Sequence, residues 1–185
     1  EGTTVHLTAE PALGYLFVAW SGDTTATPDT LDIVMRTDRS VTATFRADPA
    51  VVPVIAFITD VPSDQGGFVT LRWRPSVFEF VPQDSGVAVS NYFIWRAVPP
   101  AALETPIGVA RMRTALAGRE YVWEYLATVP ATGSDLYRYV AATTPGALPA
   151  GNPYTTFMVE GRDVSGTQFW DSPPDSGYSI DDLAP

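Results

Sequence analysis

The chain has 185 residues, of which 45% are hydrophobic and 17% charged, so it can bury a core and does not resemble a disordered segment. A net charge of −10 disfavours binding to nucleic acid or to anionic lipid, because both require a basic surface. All eleven basic residues are Arg, and the lack of Lys and Cys excludes Schiff-base chemistry, P-loop phosphate binding and thiol chemistry.

Prolines and glycines punctuate the whole chain, which is typical of many short strands rather than of long helices. No stretch of about 18 consecutive apolar residues is present, so no membrane insertion is expected. The first residues already have a strand-like pattern, and any targeting segment is therefore expected upstream of Glu1.

The first segment predicts four strands separated by turns. Val5 and Leu7 alternate with polar residues, which is the period of two of a half-buried strand. The four strands are predicted at Thr4–Thr8, Tyr15–Trp20, Leu31–Met35 and Ser40–Phe45. The run from Ala47 to Ala50 breaks the pattern and predicts a boundary between two domains.

Longer strands are predicted after this boundary. In the strand Phe68–Trp73 the apolar Val69, Leu71 and Trp73 share one face, so Trp73 is expected to anchor the core. Thr70, Arg72 and Arg74 lie on the other face. The remaining strands are predicted at Val54–Ile58, Asn91–Arg96, Tyr121–Thr128, Leu136–Ala142, Tyr154–Glu160 and Gln168–Asp171.

The strand Asn91–Arg96 is apolar on both faces. Tyr92 and Ile94 point one way, and Phe93 and Trp95 point the other way. Open aromatic patches are unusual on soluble proteins, so we expect this second face to be covered by residues 97–120 or by a neighbouring domain.

His6 is the only histidine, which leaves a single base for a catalytic triad and a single nitrogen ligand for zinc. It shares a strand face with Thr4 and Thr8, where a solvent-exposed histidine is the common occupant. We therefore expect neither a catalytic nor a zinc-binding role for His6.

Paired carboxylates are the other catalytic element to consider, since glycoside hydrolysis needs only two of them. Six aspartates stand beside Gly, Pro, Ser or Thr in turn-like sequence, where the side chain usually bonds to the local backbone. They are Asp23, Asp29, Asp38, Asp60, Asp64 and Asp84. Calcium is an intermediate hypothesis, but a loop of the D-x-D-x-D-G type is absent. We expect no catalytic residue, no metal and no cofactor.

Four aromatic residues are candidates for a platform that stacks on sugars, namely Trp95, Trp123, Trp170 and Tyr178. Packing within or between domains is the more common use of Trp in a β-sandwich. The pair Arg162-Asp163 lacks the intervening Gly of the integrin-binding tripeptide, so this loop carries no adhesive motif of that kind. The ligand-binding residues stay open at this point.

The first segment resembles the divergent internalin-type B-repeat, a small β-grasp-like module of bacterial surface proteins. The resemblance is carried by Gly2-Thr3-Thr4-Val5-His6-Leu7-Thr8-Ala9, Gly14-Tyr15-Leu16-Phe17, Trp20-Ser21-Gly22-Asp23, Met35 and Val41-Thr42-Ala43-Thr44-Phe45. It covers the later part of such a repeat and implies an opening strand region before Glu1. Without that region, strand edges are filled either by the same polypeptide or by a strand of another chain.

Residues from Val51 to Pro185 resemble a fibronectin type III-like domain of large bacterial secreted proteins. The resemblance rests on Trp73, Tyr92-Phe93-Ile94-Trp95-Arg96, Phe157-Met158-Val159-Glu160-Gly161 and the tail from Ser176 to Pro185. The domain exceeds the usual ~100 residues of an immunoglobulin-like sandwich, and the excess falls between Ala97 and Glu120. There, Val109, Met112 and Leu116 predict a short helix or an irregular excursion. Thr155 stands where a tyrosine corner is expected, and Tyr154 is out of phase.

The predicted fold class is all-β: a partial β-grasp-like repeat at 1–47, a linker at 48–52, and an expanded immunoglobulin-like β-sandwich at 53–185 with an insertion near 97–120. The predicted function is a non-catalytic structural, adhesion or spacer module of a large bacterial protein, secreted or on the cell surface. A carbohydrate-binding accessory module and a filament subunit assembled by strand complementation are the alternatives. The expected partners are other domains or copies of the polypeptide, with glycans as a further candidate and no nucleic acid.

Overall fold

The computed structural model describes residues 2–99, 111–116, 119–144 and 154–182. The chain divides into two compact units, Glu1–Val51 and Val52–Pro185. Both consist of antiparallel strands, and over the described residues the helical segments are short 3-10 turns. The predicted all-β fold class is confirmed. Within the same residues, no helix has the length and apolar character needed to cross a membrane.

The first unit contains four strands, of which alternate ones pair. They are β1 (Thr3–Thr8), β2 (Tyr15–Gly22), β3 (Thr30–Met35) and β4 (Val41–Ala47). β1 pairs with β3, and β2 pairs with β4 around a bulge between Phe17 and Ala19. Each ladder has two strands in the described part of the unit, so strand edges with unpaired backbone groups remain.

Little of the first unit is buried. Among its described residues, Ala9 and Trp20 alone are buried, while Val5, Tyr15 and Phe45 are exposed. Trp20 contacts Phe17, with a ring-centroid distance of 5.6 Å. Because so little apolar area is removed from water, the two strand ladders and the hydrogen bonds of the turns hold this unit together along with the small core.

The second unit consists of two antiparallel sheets. The smaller sheet has the order β10-β6-β5, and the larger has the order β12-β11-β7-β9-β8, with β13 also paired to β11. The strands are β5 (Val54–Asp60), β6 (Phe68–Arg74), β7 (Val89–Val98), β8 (Arg111–Leu116), β9 (Arg119–Pro130), β10 (Tyr137–Ala142), β11 (Thr155–Asp163), β12 (Phe169–Asp171) and β13 (Asp175–Gly177). This arrangement is an immunoglobulin-like β-sandwich.

The core between the two sheets is centred on Trp73. Val69, Leu71 and Trp73 are completely buried, as their alternation along β6 predicted. The Trp73 ring stacks on Tyr137 at 5.3 Å and meets Tyr92 of the larger sheet edge-on at 5.8 Å. The predicted role of Trp73 as a core anchor is therefore confirmed.

A second apolar cluster lies on the opposite face of the larger sheet. Its buried members are Trp95, Trp123 and Met158, and the half-buried Phe93 packs against them. Trp95 is only 5% exposed, so the prediction that this face is covered is confirmed. Much of the segment expected to cover it, residues 97–120, lies outside the described residues.

The insertion differs from the sequence-based expectation. Residues Arg111–Leu116 form β8, which pairs with β9 from Arg111 opposite Glu124 to Leu116 opposite Arg119. The prediction of a short helix or irregular excursion is wrong over these residues, because a long-range ladder with β9 determines their conformation. Residues 101–110 and 117–118 lie outside the described part of the chain.

The segment that follows β13 runs beside β5 and the turn between β5 and β6. The Ile180 amide donates to the Asp60 carboxylate at 2.8 Å, and the Gly67 amide donates to the Ser179 hydroxyl at 2.9 Å. A Cβ atom on Gly177 would collide with the Ile58 side chain, so β13 approaches β5 closely. The last described residues thus hold the first strand of the sandwich.

Candidate functional site

His6 is a surface residue with a carboxylate partner. It lies opposite Asp32 in the ladder between β1 and β3, and its Nδ1 is hydrogen-bonded to the Asp32 carboxylate. Both side chains are exposed, as the sequence predicted for His6. Cross-strand pairs of this kind contribute about 0.2–1 kcal/mol to a sheet, so the contact suits a structural role.

The six candidate aspartates do not converge on one place. The Asp64 carboxylate accepts from the Gly66 amide at 2.7 Å, which is the predicted local turn bond. The prediction of local bonding is wrong for Asp23 and Asp60, whose carboxylates accept from the distant amides of Ser40 and Ile180. Asp29, Asp38 and Asp84 are exposed. Over the described residues no three acidic or histidine side chains are placed to hold a metal ion; the absence of a metal stays a prediction.

The motif Trp20-Ser21-Gly22-Asp23 builds a turn. The buried Trp20 indole donates to the Pro28 carbonyl at 3.1 Å. Gly22 has a φ of +107°, and a Cβ atom there would collide with the Ser40 carbonyl oxygen. The Asp23 amide donates to that same oxygen at 2.9 Å, and the Asp23 carboxylate accepts from the Ser40 amide. The motif therefore fixes the end of β2 beside the start of β4.

Glu79 is the centre of a buried polar network that the sequence did not reveal. Its carboxylate accepts from the Tyr92 hydroxyl at 2.6 Å, from the Tyr137 hydroxyl and from the Gly133 amide. Burial, together with the Glu79 carboxylate, raises the pKa of the Tyr92 hydroxyl, which therefore stays protonated as a donor. The only local signal is Ser76, whose hydroxyl caps the short turn that carries Glu79 by accepting from the Phe78 amide.

A second charged cluster, also missed by the sequence analysis, lies where β11 meets β12. Glu160 is 1% exposed and accepts from the Arg162 guanidinium, which lies 4.3 Å from the centre of the Phe93 ring. Asp171 is opposite Glu160 in the ladder. Burial, and then the neighbouring Glu160 carboxylate, raise the pKa of Asp171 to about 6. Carboxyl pairs of this type can perform acid–base chemistry, but here the Glu160 carboxylate is buried and bound to Arg162.

The loop after Arg162 uses its aspartate to form a turn. The Asp163 carboxylate accepts from the Ser165 hydroxyl, from the Ser165 amide at 3.1 Å and from the Gln168 amide at 2.9 Å. The Ser165 hydroxyl, followed by the backbone amides, lowers the pKa of Asp163. All of these bonds of the Asp163 carboxylate lie within its own loop.

The four aromatic candidates do not form one platform. Trp95 and Trp123 are buried, and Trp170 is half-buried against Phe78, with ring centroids 4.9 Å apart. Tyr178 alone is exposed, and it meets the exposed Tyr154 edge-on at 5.0 Å. These two tyrosines line a groove of about 280 Å³ together with Ile58, Asp60 and Ile180.

Three arginines lie on a different surface from the hydrogen-bonded charged residues described above. Arg72, Arg74 and Arg138 are exposed on the outer face of the smaller sheet. In contrast, Arg96 donates to Glu124 and to the Ala142 and Thr143 carbonyls, each carbonyl at 3.0 Å. The alternation along β6 gave the outward direction of Arg72 and Arg74, whereas the position of Arg138 depends on the pairing of β10 with β6.

Comparison with known proteins finds a family match within the first unit. Residues 1–49 match the family described as the divergent InlB B-repeat domain, which confirms the B-repeat part of the sequence-based resemblance. The match concerns 49 of the 185 residues and therefore this segment alone. No curated protein matches the chain.

Proposed function

We propose that this chain is a non-catalytic structural and spacer module of a large bacterial protein that is secreted or displayed on the cell surface. One observation carries the proposal: every buried carboxylate of the described residues serves the fold. Glu79 binds two tyrosines, Glu124 binds Arg96, Glu160 binds Arg162 and Asp163 closes its own loop. Groups held in this way are not free to act on a substrate.

The B-repeat match supports a place in a bacterial surface protein, because such repeats are modules of those proteins. The second unit is proposed to be a fibronectin type III-like domain. Its three-stranded sheet β10-β6-β5 against the sheet β12-β11-β7-β9 is the arrangement expected for that domain, with β8 as an added edge strand. At the position where that domain would have a tyrosine corner, the Thr155 hydroxyl accepts from the Thr144 amide at 3.0 Å.

The proposal is tested by a broad glycosidase and esterase screen of the purified chain at acidic and neutral pH. We expect no turnover. Turnover that disappears in Glu160→Gln or Asp171→Asn, and persists in the exposed control Asp135→Asn, would contradict the proposal.

A carbohydrate-binding accessory module is the second candidate, favoured by the Tyr154–Tyr178 groove. Two exposed aromatic rings beside the Asp60 carboxylate are a combination that binds sugars by stacking and hydrogen bonding. A glycan array probed with the chain tests it. This function would be established if the chain binds a glycan, if Tyr178→Ala abolishes that binding, and if the exposed control Tyr15→Ala retains it. The filament alternative stays a prediction: it requires a molecular mass that rises with concentration.

A further inference from the structure

The outer face of the smaller sheet concentrates positive charge. Arg72 on β6 lies directly opposite Arg138 on β10, and Arg74 follows two positions along β6 on the same face. Directly opposite Cβ atoms are about 4.5–5.5 Å apart, and alternate residues of a strand are about 6.5–7 Å apart. The three side chains therefore form one patch, which we call the arginine face.

The fold does not use these three charges. None of the three guanidinium groups has a hydrogen bond or ion pair with another residue in the described part of the chain, whereas Arg96 and Arg162 are held by Glu124 and Glu160. Like charges directly opposite one another destabilise a sheet. The chain as a whole has a net charge of −10, so the charge of these three arginines is opposite in sign to the net charge of the chain.

Apolar side chains lie next to the arginine face on β5 and along β10. Phe57 lies opposite Arg72 on β5 and is 55% exposed, and Val54 lies opposite Arg74. Val140 and Leu136 are exposed on β10 and just before it, two positions to either side of Arg138. Three of these four side chains are aliphatic. Aliphatic borders suit the side chains of a peptide better than the flat ring of a sugar, which stacks on aromatic residues.

We propose that the arginine face, formed by Arg72, Arg74 and Arg138 and bordered by Phe57 and Val54, binds an extended polypeptide segment rich in acidic residues. The spacing of Arg72 and Arg74 equals that of side chains on one face of an extended peptide. Carboxylates at alternate positions would therefore meet the two guanidinium groups, which bind carboxylates in a bidentate manner. The intervening side chains of such a peptide point away from the sheet. The methylene groups of the acidic side chains would therefore contact Phe57 and Val54.

Binding is measured by fluorescence anisotropy with the full chain and a labelled synthetic peptide of alternating Glu and Val residues. The matched probe replaces every Glu with Gln. We expect binding of the acidic peptide at low salt, at least tenfold weaker binding of the Gln peptide, and a marked loss at high salt. The double variant Arg72→Gln/Arg138→Gln should weaken binding at least tenfold. The control Arg36→Gln/Arg39→Gln, in the first unit, should stay within twofold of the unchanged chain.

Circular dichroism checks that the double variant is folded, and Arg74→Gln alone provides an independent variant with an expected loss of at least threefold. Equal binding by the double variant and the unchanged chain would overturn the proposal. So would equal binding of both peptides, or no binding of either. Binding of polygalacturonate with no binding of the acidic peptide would overturn it in favour of an anionic polysaccharide.

Discussion

Asp171 lies directly opposite Glu160 in the ladder between β12 and β11, so two carboxyl groups meet in a partly buried place. Burial and the neighbouring Glu160 carboxylate raise the pKa of Asp171 to about 6. The pKa of an unfolded Asp is about 3.9, so between about pH 4 and 6 the folded chain holds a proton that the unfolded chain has lost. Through this group, folding stability falls as pH rises across that window, by on the order of 1–3 kcal/mol.

The first prediction is that Asp171→Asn removes this pH dependence. An amide keeps the size and a hydrogen-bond donor but carries no charge, so the variant should be more stable than the unchanged chain at pH 8 and similar to it at pH 4. Urea denaturation from pH 4 to 8 measures the difference. Asp163 and the titratable groups away from Asp171 are present in both proteins, so their contributions cancel in the difference between the two free energies of unfolding. If the free energies of unfolding of Asp171→Asn and of the unchanged chain change with pH in parallel over the whole range, the pH dependence does not come from Asp171. Asp135→Asn, at an exposed position, is the control.

The second prediction concerns Trp73, which is completely buried between Tyr137 and Tyr92. Trp73→Ala should destabilise the second unit by about 3–5 kcal/mol, because it removes a large aromatic side chain and leaves a cavity. Chemical denaturation provides the measurement. Trp170→Ala, at a half-buried position against Phe78, should cost clearly less. A loss below about 1 kcal/mol for Trp73→Ala would mean that the ring contributes little to the core.

The third prediction is that Gly22→Ala weakens the contact between the end of β2 and the start of β4. The new methyl group has no space beside the Ser40 carbonyl oxygen, and the φ of +107° is unfavourable for alanine. We expect a loss of about 1–3 kcal/mol, seen as faster hydrogen exchange of the Asp23 and Ser40 amides. Gly67→Ala is the matched control, with a φ of +91° and no atom within 4 Å of the added Cβ. Equal effects at the two sites would show that the close approach to Ser40 is unimportant.

The fourth prediction tests the network around Glu79. Tyr92→Phe and Tyr137→Phe each remove one hydroxyl donor from a buried carboxylate, so each should cost about 1–3 kcal/mol in urea denaturation. Tyr139→Phe, at a half-buried position on the same strand as Tyr137, is expected to change stability by less than about 0.5 kcal/mol. If all three variants behave alike, the hydroxyl bonds to Glu79 do not stabilise the sandwich.

Local patterns predicted most of the strands, though not β8, and the inward direction of Trp73, because a period of two is a property of each strand by itself. They did not predict partners that are distant in sequence. Asp60 has a turn-like sequence context, yet its carboxylate binds the Ile180 amide, 120 positions away. Glu160 and Arg138 appear in the sequence as ordinary polar strand residues. The burial of one and the position of the other opposite Arg72 are determined by how the strands pair.

The segment after β13 has a mechanical consequence. From Gly177 beside Ile58 to Ile180 bonded to Asp60, this segment runs in the same direction as β5. A pull on the start of β5 and on the end of this segment therefore slides the two past each other. The contact of Gly177 with Ile58 and the bond of Ile180 to Asp60 are then loaded together, whereas an antiparallel pair pulled from one end would unzip bond by bond. A tether built from such a sandwich would resist tension until it yields in one step.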